Sequence, residues 1–429
     1  YDLLQQMIQH LETKGMDDAA KAQYSADVDV LLTEAFTRYT LDLSTGTLNP
    51  DSSSGLRWKI PRGPIPKENV LRALIRGAEP EKILNQIRPA VPQYPRLMKT
   101  LARLNEVANK GGWGAVPAGT IKKGDSSDVV LKLRQRLAQS EDVREATYAQ
   151  RGGDRPYVYD ENLWLALKHF QARTGNDDDG ALGARTLREL NRPIAERLED
   201  VKLNMDRWRW LPHDLGQMYV LVNVAGYEMS VIENNRAIEN MNVVVGKTGW
   251  ETPIFADTMI DMVVNPSWNV PPSIANDEMA SVSEEYLASH HFVRTKDGGY
   301  RQLPGPDNAL GEFKFEFPNK DNIYLHDTPA DALFSRADRA FSHGCIRLER
   351  PRDLAYLLGN KLAGKSAAEI DRLQATGDER VVKFRKKIPI YILYFTTWVA
   401  DDGTVRYHTD VYGHDEALEP QTRKFETRT

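Results

Sequence analysis

At 429 residues, 41% hydrophobic and 27% charged, the chain exceeds what one ordinary core sustains and reads as two or three globular domains. Its formal net charge of −5 lacks the basic excess that phosphate neutralisation needs, so no nucleic-acid partner is expected. The densest apolar run, Ile388 to Phe395, is far shorter than the roughly 20 residues that span a bilayer and, with its Ile, Tyr and Pro389, reads as a buried strand.

Residues 1–119 are expected to be a helical scaffold domain. Leu3, Leu4, Met7, Ile8 and Leu11 recur at helical spacing, as do Val28, Leu31, Leu32, Ala35 and Phe36. A turn-rich stretch from Asn49 to Gly63, with Pro50, Gly55 and Pro61, separates them from later helices. Tyr1 opens directly on an amphipathic pattern with no visible signal peptide, and the missing initiator Met suggests that an upstream segment was removed, which leaves room for a membrane tether there.

A Gly-rich connection, Gly111 to Gly114 and Pro117 to Gly119, leads to a small three-helix unit over 120–193. One helix carries Val130, Leu133 and Leu137 on a face, a second carries Leu163, Leu167 and Phe170 and ends at Gly175, and a short third ends near Asn191. The ordered residues Gly124-Asp125, Phe170-Gln171, Asp179-Gly180, Gly183, Thr186 and Leu190-Asn191 resemble the small peptidoglycan-binding module; Ser140 to Tyr159 is longer than that module needs and implies a loop insertion. Residues 194–212, ending in Trp208-Arg209-Trp210, read as a linker helix.

The period then changes. Tyr219–Val224, Met241–Val245, Ile260–Val264, Asn322–Leu325, Tyr391–Phe395 and Val405–Thr409 are β-rich, with a turn at Glu233-Asn234-Asn235. A mostly β domain therefore covers 213–413, followed by a C-terminal tail, 414–429. Within it, 268–319 is a long insertion with a helical piece, Ile274 to Leu287, and a turn-rich piece, Lys296 to Asn308. The basic run Lys383 to Lys387 reads as a solvated strand flank.

The chemistry-bearing residues cluster in this domain. Cys345, the chain's single cysteine, excludes internal disulfides and leaves a thiol that is either buried and inert or exposed and reactive. It lies in Ser342-His343-Gly344-Cys345-Ile346-Arg347-Leu348, downstream of Ile323-Tyr324-Leu325-His326-Asp327-Thr328. A thiol attacks acyl carbon as thiolate, and an imidazole can hold the pair as thiolate–imidazolium and later protonate a leaving amine. His343 is nearer in sequence, and His326 comes from a strand that folding could bring opposite the thiol. Gly344 permits a turn that aims successive N–H groups at one point, as an oxyanion hole requires. Arg347 could pair with a substrate carboxylate or a structural acid.

This pattern resembles the L,D-transpeptidase catalytic domain, the YkuD-like family, whose hallmark is a His followed by Ser-His-Gly-Cys-x-Arg. The similarity takes in Val243 to Lys247, Thr252 to Phe255 and Val264 to Pro271, and the domain order resembles the large periplasmic YcbB-type members. The implied fold is multidomain α+β, a helical scaffold region, a small three-helix peptidoglycan-binding module and a mostly β catalytic domain with a capping insertion over the site. The resemblance implies Cys345 as nucleophile, His326 as base and acid, and the Asp327 carbonyl as the group orienting the imidazole. Backbone N–H groups of His343, Gly344 and Cys345 would form the oxyanion hole. Tyr324, Arg347, Trp268 and Ser342 would be substrate-binding. Many members have Gly where this chain has Asp327, which leaves the role of that carboxylate open.

The implied reaction is acyl transfer between peptidoglycan stem peptides, with a tetrapeptide donor and a diaminopimelate amine acceptor giving a 3→3 cross-link, or L,D-carboxypeptidase activity with water. Carbapenem β-lactams would be covalent inhibitors, no metal or organic cofactor is implied, and the setting would be the periplasm. Three competing readings are a papain-like peptidase, a zinc amidase built on His290, His291, His326 and His343, and a non-catalytic wall-binding scaffold. The first usually places Cys before His, the reverse of this chain, and the second lacks His-Glu-x-x-His.

Overall fold

The computed structural model describes residues 2–11, 17–50, 56, 58–61, 67–140, 156–279 and 281–426. The side chains of Leu3, Leu4 and Leu11, the turn residues Gly55 and Gly63, the bulk of the expected insertion between Ser140 and Tyr159, and positions 427–429 of the expected tail lie outside the described residues.

The N-terminal region is helical: α1 (Asp2–Leu11), α2 (Asp18–Thr45), α3 (Lys67–Ile75), α4 (Pro80–Ile87) and α5 (Gln93–Asn109). Asp17 caps α2 by accepting from the Ala20 N–H at 2.8 Å. Helical spacing identified this element but not its packing. Val28 is buried, whereas Leu31 and Leu32 are 37% and 42% exposed, and burial resumes only near Leu43.

The next unit is α6 (Asp128–Gln139), α7 (Glu161–Arg173) and α8 (Ala184–Leu190), with its own core of Val130, Leu133, Leu137, Leu163, Leu167 and Phe170. Its ordered turn residues meet at the buried Gln171. The Gln171 amide accepts from the Gly180 N–H at 2.7 Å and donates to Asp179 Oδ1, the Ala181 carbonyl and Thr186 Oγ1. Gly180, at φ +73°, lies so close to the Trp164 indole that a Cβ would collide with it.

The following helix, α9 (Ile194–Arg209), is buried along its C-terminal half between the scaffold and the β domain. Asp206 Oδ2 accepts from the Thr47 N–H (2.9 Å), the Thr47 hydroxyl (2.8 Å) and the Leu48 N–H (3.0 Å), and its Oδ1 takes Arg209, whose guanidinium also donates to the Tyr94 hydroxyl. On the other side, Asn204 exchanges two hydrogen bonds with Thr396, and Trp208 stacks on Phe395 with centroids 4.3 Å apart. One hydrophobic core consequently runs from Leu43 and Tyr94 through Trp210 into the sheet.

That sheet closes on itself. Its strands are β1 (Met218–Asn223), β2 (Glu228–Glu233), β3 (Arg236–Gly246) and β4 (Phe255–Val264), then, past the insertion, β8 (Phe313–Glu316), β9 (Leu325–His326), β10 (Ala340–Ser342), β11 (Ile346–Leu348) and β12 (Arg380–Leu393). The order is β10-β3-β11-β9-β8-β4-β12-β1-β2, and β2 pairs again with β3. The Ile388 to Leu393 half of β12 is buried as its composition predicts. The basic residues before it sit at a register shift between Lys383 and Ile388, so the run bulges toward water. The expected strand at Asn322 is shorter, because Asn322 turns at φ +54° and pairing begins at Leu325.

The insertion forms a three-stranded sheet, β5 (Trp268–Asn269), β7 (Tyr300–Gln302) and β6 (Phe292–Arg294), with α10 (Glu284–Ser289) and a wide helical turn at Ala275–Met279. Val270, Ile274, Met279 and Leu287 give it a separate small core. After β11, α11 (Pro351–Leu358) and α12 (Ala367–Gln374) pack beside the sheet; the hairpin β13 (Thr397–Val399) and β14 (Val405–Tyr407) receives α7, whose Arg173 donates to the Val405 carbonyl.

Asp206→Ala would leave the buried Leu48 N–H, the part-buried Thr47 N–H and Arg209 short of partners, so it is expected to cost about 1–3 kcal/mol. Denaturant unfolding checks this; an unchanged midpoint would contradict the central role of α9.

Candidate active site

The site is built by register. β9 and β11 pair in parallel, Leu325 opposite Ile346 and His326 opposite Arg347, with the Ile346 N–H donating to the Tyr324 carbonyl at 3.1 Å. β8 runs antiparallel beside β9, placing Lys314 opposite His326. Side chains alternate along a strand, so Leu325, Ile346 and Phe315 enter the core, each fully buried. Tyr324, His326, Cys345, Arg347, Lys314 and Glu316 share the outer face. A slip of one residue would bury the thiol and expose three core side chains.

The turn before Cys345 is held from below. Gly344 adopts φ +112°, a region that disfavours any side chain. The buried Ser342 hydroxyl accepts from the Gly344 N–H at 3.1 Å and donates to the Cys345 carbonyl at 2.5 Å. Thr252 Oγ1 donates to the Gly344 carbonyl at 2.7 Å and accepts from the Gly246 N–H, while the Tyr412 hydroxyl donates to the Gly246 carbonyl at 2.5 Å. Among the described residues, nothing accepts from the N–H groups of His343 and Cys345. The turn thus has two donors to offer a developing oxyanion, and the third expected donor, Gly344, is engaged by Ser342.

His326 Nδ1 meets the Asp327 carbonyl at 2.5 Å, which assigns the proton to Nδ1 and leaves Nε2 as acceptor. Burial, Arg347 and Lys314 push this imidazole down to about 3, against a smaller upward pull from the Asp327 carbonyl. Burial likewise pushes the Cys345 thiol up, partly offset by hydrogen bonds from the backbone and hydroxyl of Tyr324 and by Lys314 and Arg347. Burial thus favours the uncharged form of both groups, where the sequence left a thiolate–imidazolium pair open. The thiol donates to the Asn322 carbonyl at 3.6 Å. The Tyr324 hydroxyl lies between Cys345 and the side chain of Trp268, and its ring meets His326 edge-on at 5.6 Å.

His343 faces elsewhere. Its Nε2 lies 2.9 Å from Glu278 on the insertion and 3.5 Å from Lys247, and its ring abuts Trp250 at 5.0 Å. Glu278 reaches across from the cap and also acts electrostatically on Arg347, whose buried Nε has no hydrogen-bond partner among the described residues. The Asp327 carboxylate accepts from the N–H groups of Glu312 and Thr328, both at 2.7 Å, so it braces the approach to β8. The four histidines weighed as zinc ligands do not converge, since His290 stacks on Tyr286 in the cap; among the described residues no group of three or more His, Cys, Asp or Glu could hold a metal.

Thr252 and Tyr412 were given no role from sequence. Thr252 sits in a stretch that resembles the family, but nothing local marks its hydroxyl, and Tyr412 is 67 positions from Cys345. Lys314 carries a faint signal, a polar residue between Phe313 and Phe315 in an alternating strand.

Residues 217–372 match the model of the L,D-transpeptidase catalytic domain (YkuD), and residues 1–101 match one described as a scaffold domain. A curated Haemophilus influenzae protein named "Putative L,D-transpeptidase" is 28% identical over 243 residues, 51% of this chain and 49% of its own length. The chain thus spans about half the length of that relative. Matches among solved structures include L,D-transpeptidase 3 of Mycobacterium tuberculosis with a faropenem-derived adduct (14% identity, 41% of this chain and 60% of that one, TM-score 0.23). Another is the catalytic domain of an E. faecium L,D-transpeptidase acylated by ertapenem (12% identity, 42% and 99% covered, TM-score 0.22).

Because His326 is held neutral in the fold, with its value depressed from 6.5 to about 3, the unfolded chain binds its proton first as pH falls. Its contribution to stability is complete above about pH 6.5 and is lost progressively toward pH 3. His326→Gln removes that loss, so its stability relative to the parent should rise with acidification, by at most about 1.4 kcal/mol per pH unit. Denaturant unfolding of both proteins across this window checks it; a difference independent of pH would contradict the neutral assignment.

Proposed function

We propose that this chain, which carries an L,D-transpeptidase catalytic domain of the YkuD family over residues 217–372, transfers acyl groups between peptidoglycan stem peptides through Cys345. The observation that carries the reading is the shared outer face of Cys345, Tyr324, His326 and Arg347 beside a turn with two N–H groups to offer.

The donor is a tetrapeptide stem. As the Cys345 sulfur attacks the carbonyl of the third residue, its proton passes to His326 Nε2, and the backbone N–H groups of Cys345 and His343 take the oxyanion charge. Collapse breaks the C–N bond, and His326 returns the proton to the amine of departing D-alanine. A side-chain amine of a second stem, diaminopimelate in this reading, attacks the thioester and loses its proton to His326; the C–S bond then breaks and His326 passes that proton to the departing sulfur, giving a 3→3 cross-link and free thiol. Water in its place yields a tripeptide. Charge separates only as the bond forms, which suits two groups that burial keeps neutral at rest.

The Arg347 Nε, without a hydrogen-bond partner among the described residues, supports a role in holding a stem carboxylate, and Trp268 with Tyr324 would flank the peptide. The insertion, tied to the motif through Glu278 and His343, would exclude water from the thioester. A carbapenem offers the same thiol a strained acyl carbon and would acylate it. Residues 120–193 would bind the wall itself, and the setting would be the periplasm. Among the described residues no helix is long and apolar enough to cross a membrane.

Incubation with disaccharide-tetrapeptide, followed by mass spectrometry, tests the reaction. A dimer lacking one D-alanine is expected, with tripeptide where water competes; Cys345→Ala should give neither, and His326→Ala should slow acylation by about 10²-fold or more. Unchanged substrate with the parent protein would overturn the enzymatic reading and favour a wall-binding scaffold.

A further inference from the structure

The outer face carries a cation that takes no part in the proton transfers above. Lys314 Nζ stands 4.3 Å from the ring centroid of Tyr324 and 2.5 Å from Glu316 Oε1. Its side chain is only 18% exposed, which is low for a lysine two residues from an acid on the same strand face. An ordinary surface pair would extend into water and contribute little. This ammonium instead lies along the sheet, between Glu316 on its own strand and Tyr324, whose hydroxyl interacts electrostatically with the Cys345 sulfur.

We propose that Lys314 is a positioning residue for the Cys345 thiolate: pinned by Glu316 against the face of Tyr324, its charge polarises the phenol so that the hydroxyl donates more strongly to the sulfur. The inference rests on Cys345 being the nucleophile. A cation over an aromatic face draws on the ring's electron density. Density withdrawn from a phenol makes its O–H more acidic and hence a better donor. The gain is largest when the acceptor is a thiolate, so the contact favours the ionised sulfur formed during attack. Trp268 acts on the same phenol in the same sense, favouring its ionised form.

The charges around Lys314 fit a pinned rather than a roaming ammonium. Glu316 faces Asp261 across β4, a buried carboxyl whose Oδ1 has no hydrogen-bond partner among the described residues. Lys383 on β12 acts on that same carboxyl from the far side. Glu379, ahead of β12, feels Lys314 but is held by the Ser267 N–H at 2.6 Å and stands 3.6 Å from Arg301. Toward the thiol, Lys314 has His326 directly across β9, and Cys345 also faces Arg347 on its own strand, with Glu278 above from the cap. A direct field from Lys314 on the sulfur and a path through Tyr324 therefore need to be separated.

Alkylation of the single thiol by iodoacetamide, followed against pH, separates them without any peptidoglycan, so it reads the same whether or not the transferase reading holds. Lys314→Met should alkylate about tenfold more slowly near neutral pH, within the range of a partly desolvated cation–π contact. Its ionisation limb should move to higher pH while the alkaline plateau stays unchanged, and Lys314→Arg should restore most of the rate. In a Tyr324→Phe background Lys314→Met should add no further loss. An equal loss in that background, a loss uniform with pH, or no loss at all would overturn the proposal. Lys314→Gln carries the same expectations if Lys314→Met does not fold.

Discussion

Two residues of parallel pairing, Leu325 with Ile346 and His326 with Arg347, constrain everything else at this site. β9 and β11 are each so short that neither could hold its place alone. Their register is secured by what lies beneath. Leu325, Ile346 and Phe315 are sealed in the core, and flanking strands β3 and β8 pair on either side. Alternation then fixes the opposite face without further choice, which brings a tyrosine, a histidine and an arginine around one cysteine. The hydrophobic core thus decides which polar groups meet, and the turn through Gly344 decides how the thiol is presented.

The same burial sets the charge state. His326 sits opposite Arg347 on one neighbour and Lys314 on the other, so protonation would add a third cation to a face with little access to water. The imidazole remains neutral, with its Nδ1 proton spent on the Asp327 carbonyl. The thiol, only partly open to water, is likewise favoured in its protonated form by desolvation, while Tyr324, Lys314 and Arg347 stand ready for the anion. Such a site stores its stabilising groups in position and uses them only when charge develops. The cap contributes to this economy through Glu278, which reaches both His343 and the field of Arg347.

Much of this was legible in sequence because the motif residues carry distinctive chemistry at fixed spacing. Cys345, His326, Gly344 and Arg347 could be selected from the chain, and the change of period near residue 213 marked where the β domain begins. What could not be read was the work done by residues with common side chains and long-range partners. Ser342 was expected to meet substrate, yet its hydroxyl is consumed by the Gly344 N–H and the Cys345 carbonyl. Thr252 and Tyr412 reach the turn from distant segments. Residues 194–212 read as a linker helix; what the sequence did not show is that its Trp208 and Trp210 are buried and that Asp206 and Asn204 bond to the segments on either side. On α2, helical spacing located the helix but not which of its residues are covered: Val28 is buried and Phe36 packs on the core, while Leu31 and Leu32 face out, since spacing specifies a face but not its partner.

The central claim is that buried register, rather than a standing ion pair, prepares Cys345 for attack. Because the chain has a single cysteine, the ultraviolet thiolate band can be followed against pH, with Cys345→Ser as the blank. The account predicts no thiolate at neutral pH, with the band emerging only as pH rises beyond the ordinary cysteine range. A full thiolate band already present in mildly acidic solution would show a resting thiolate–imidazolium pair and contradict it.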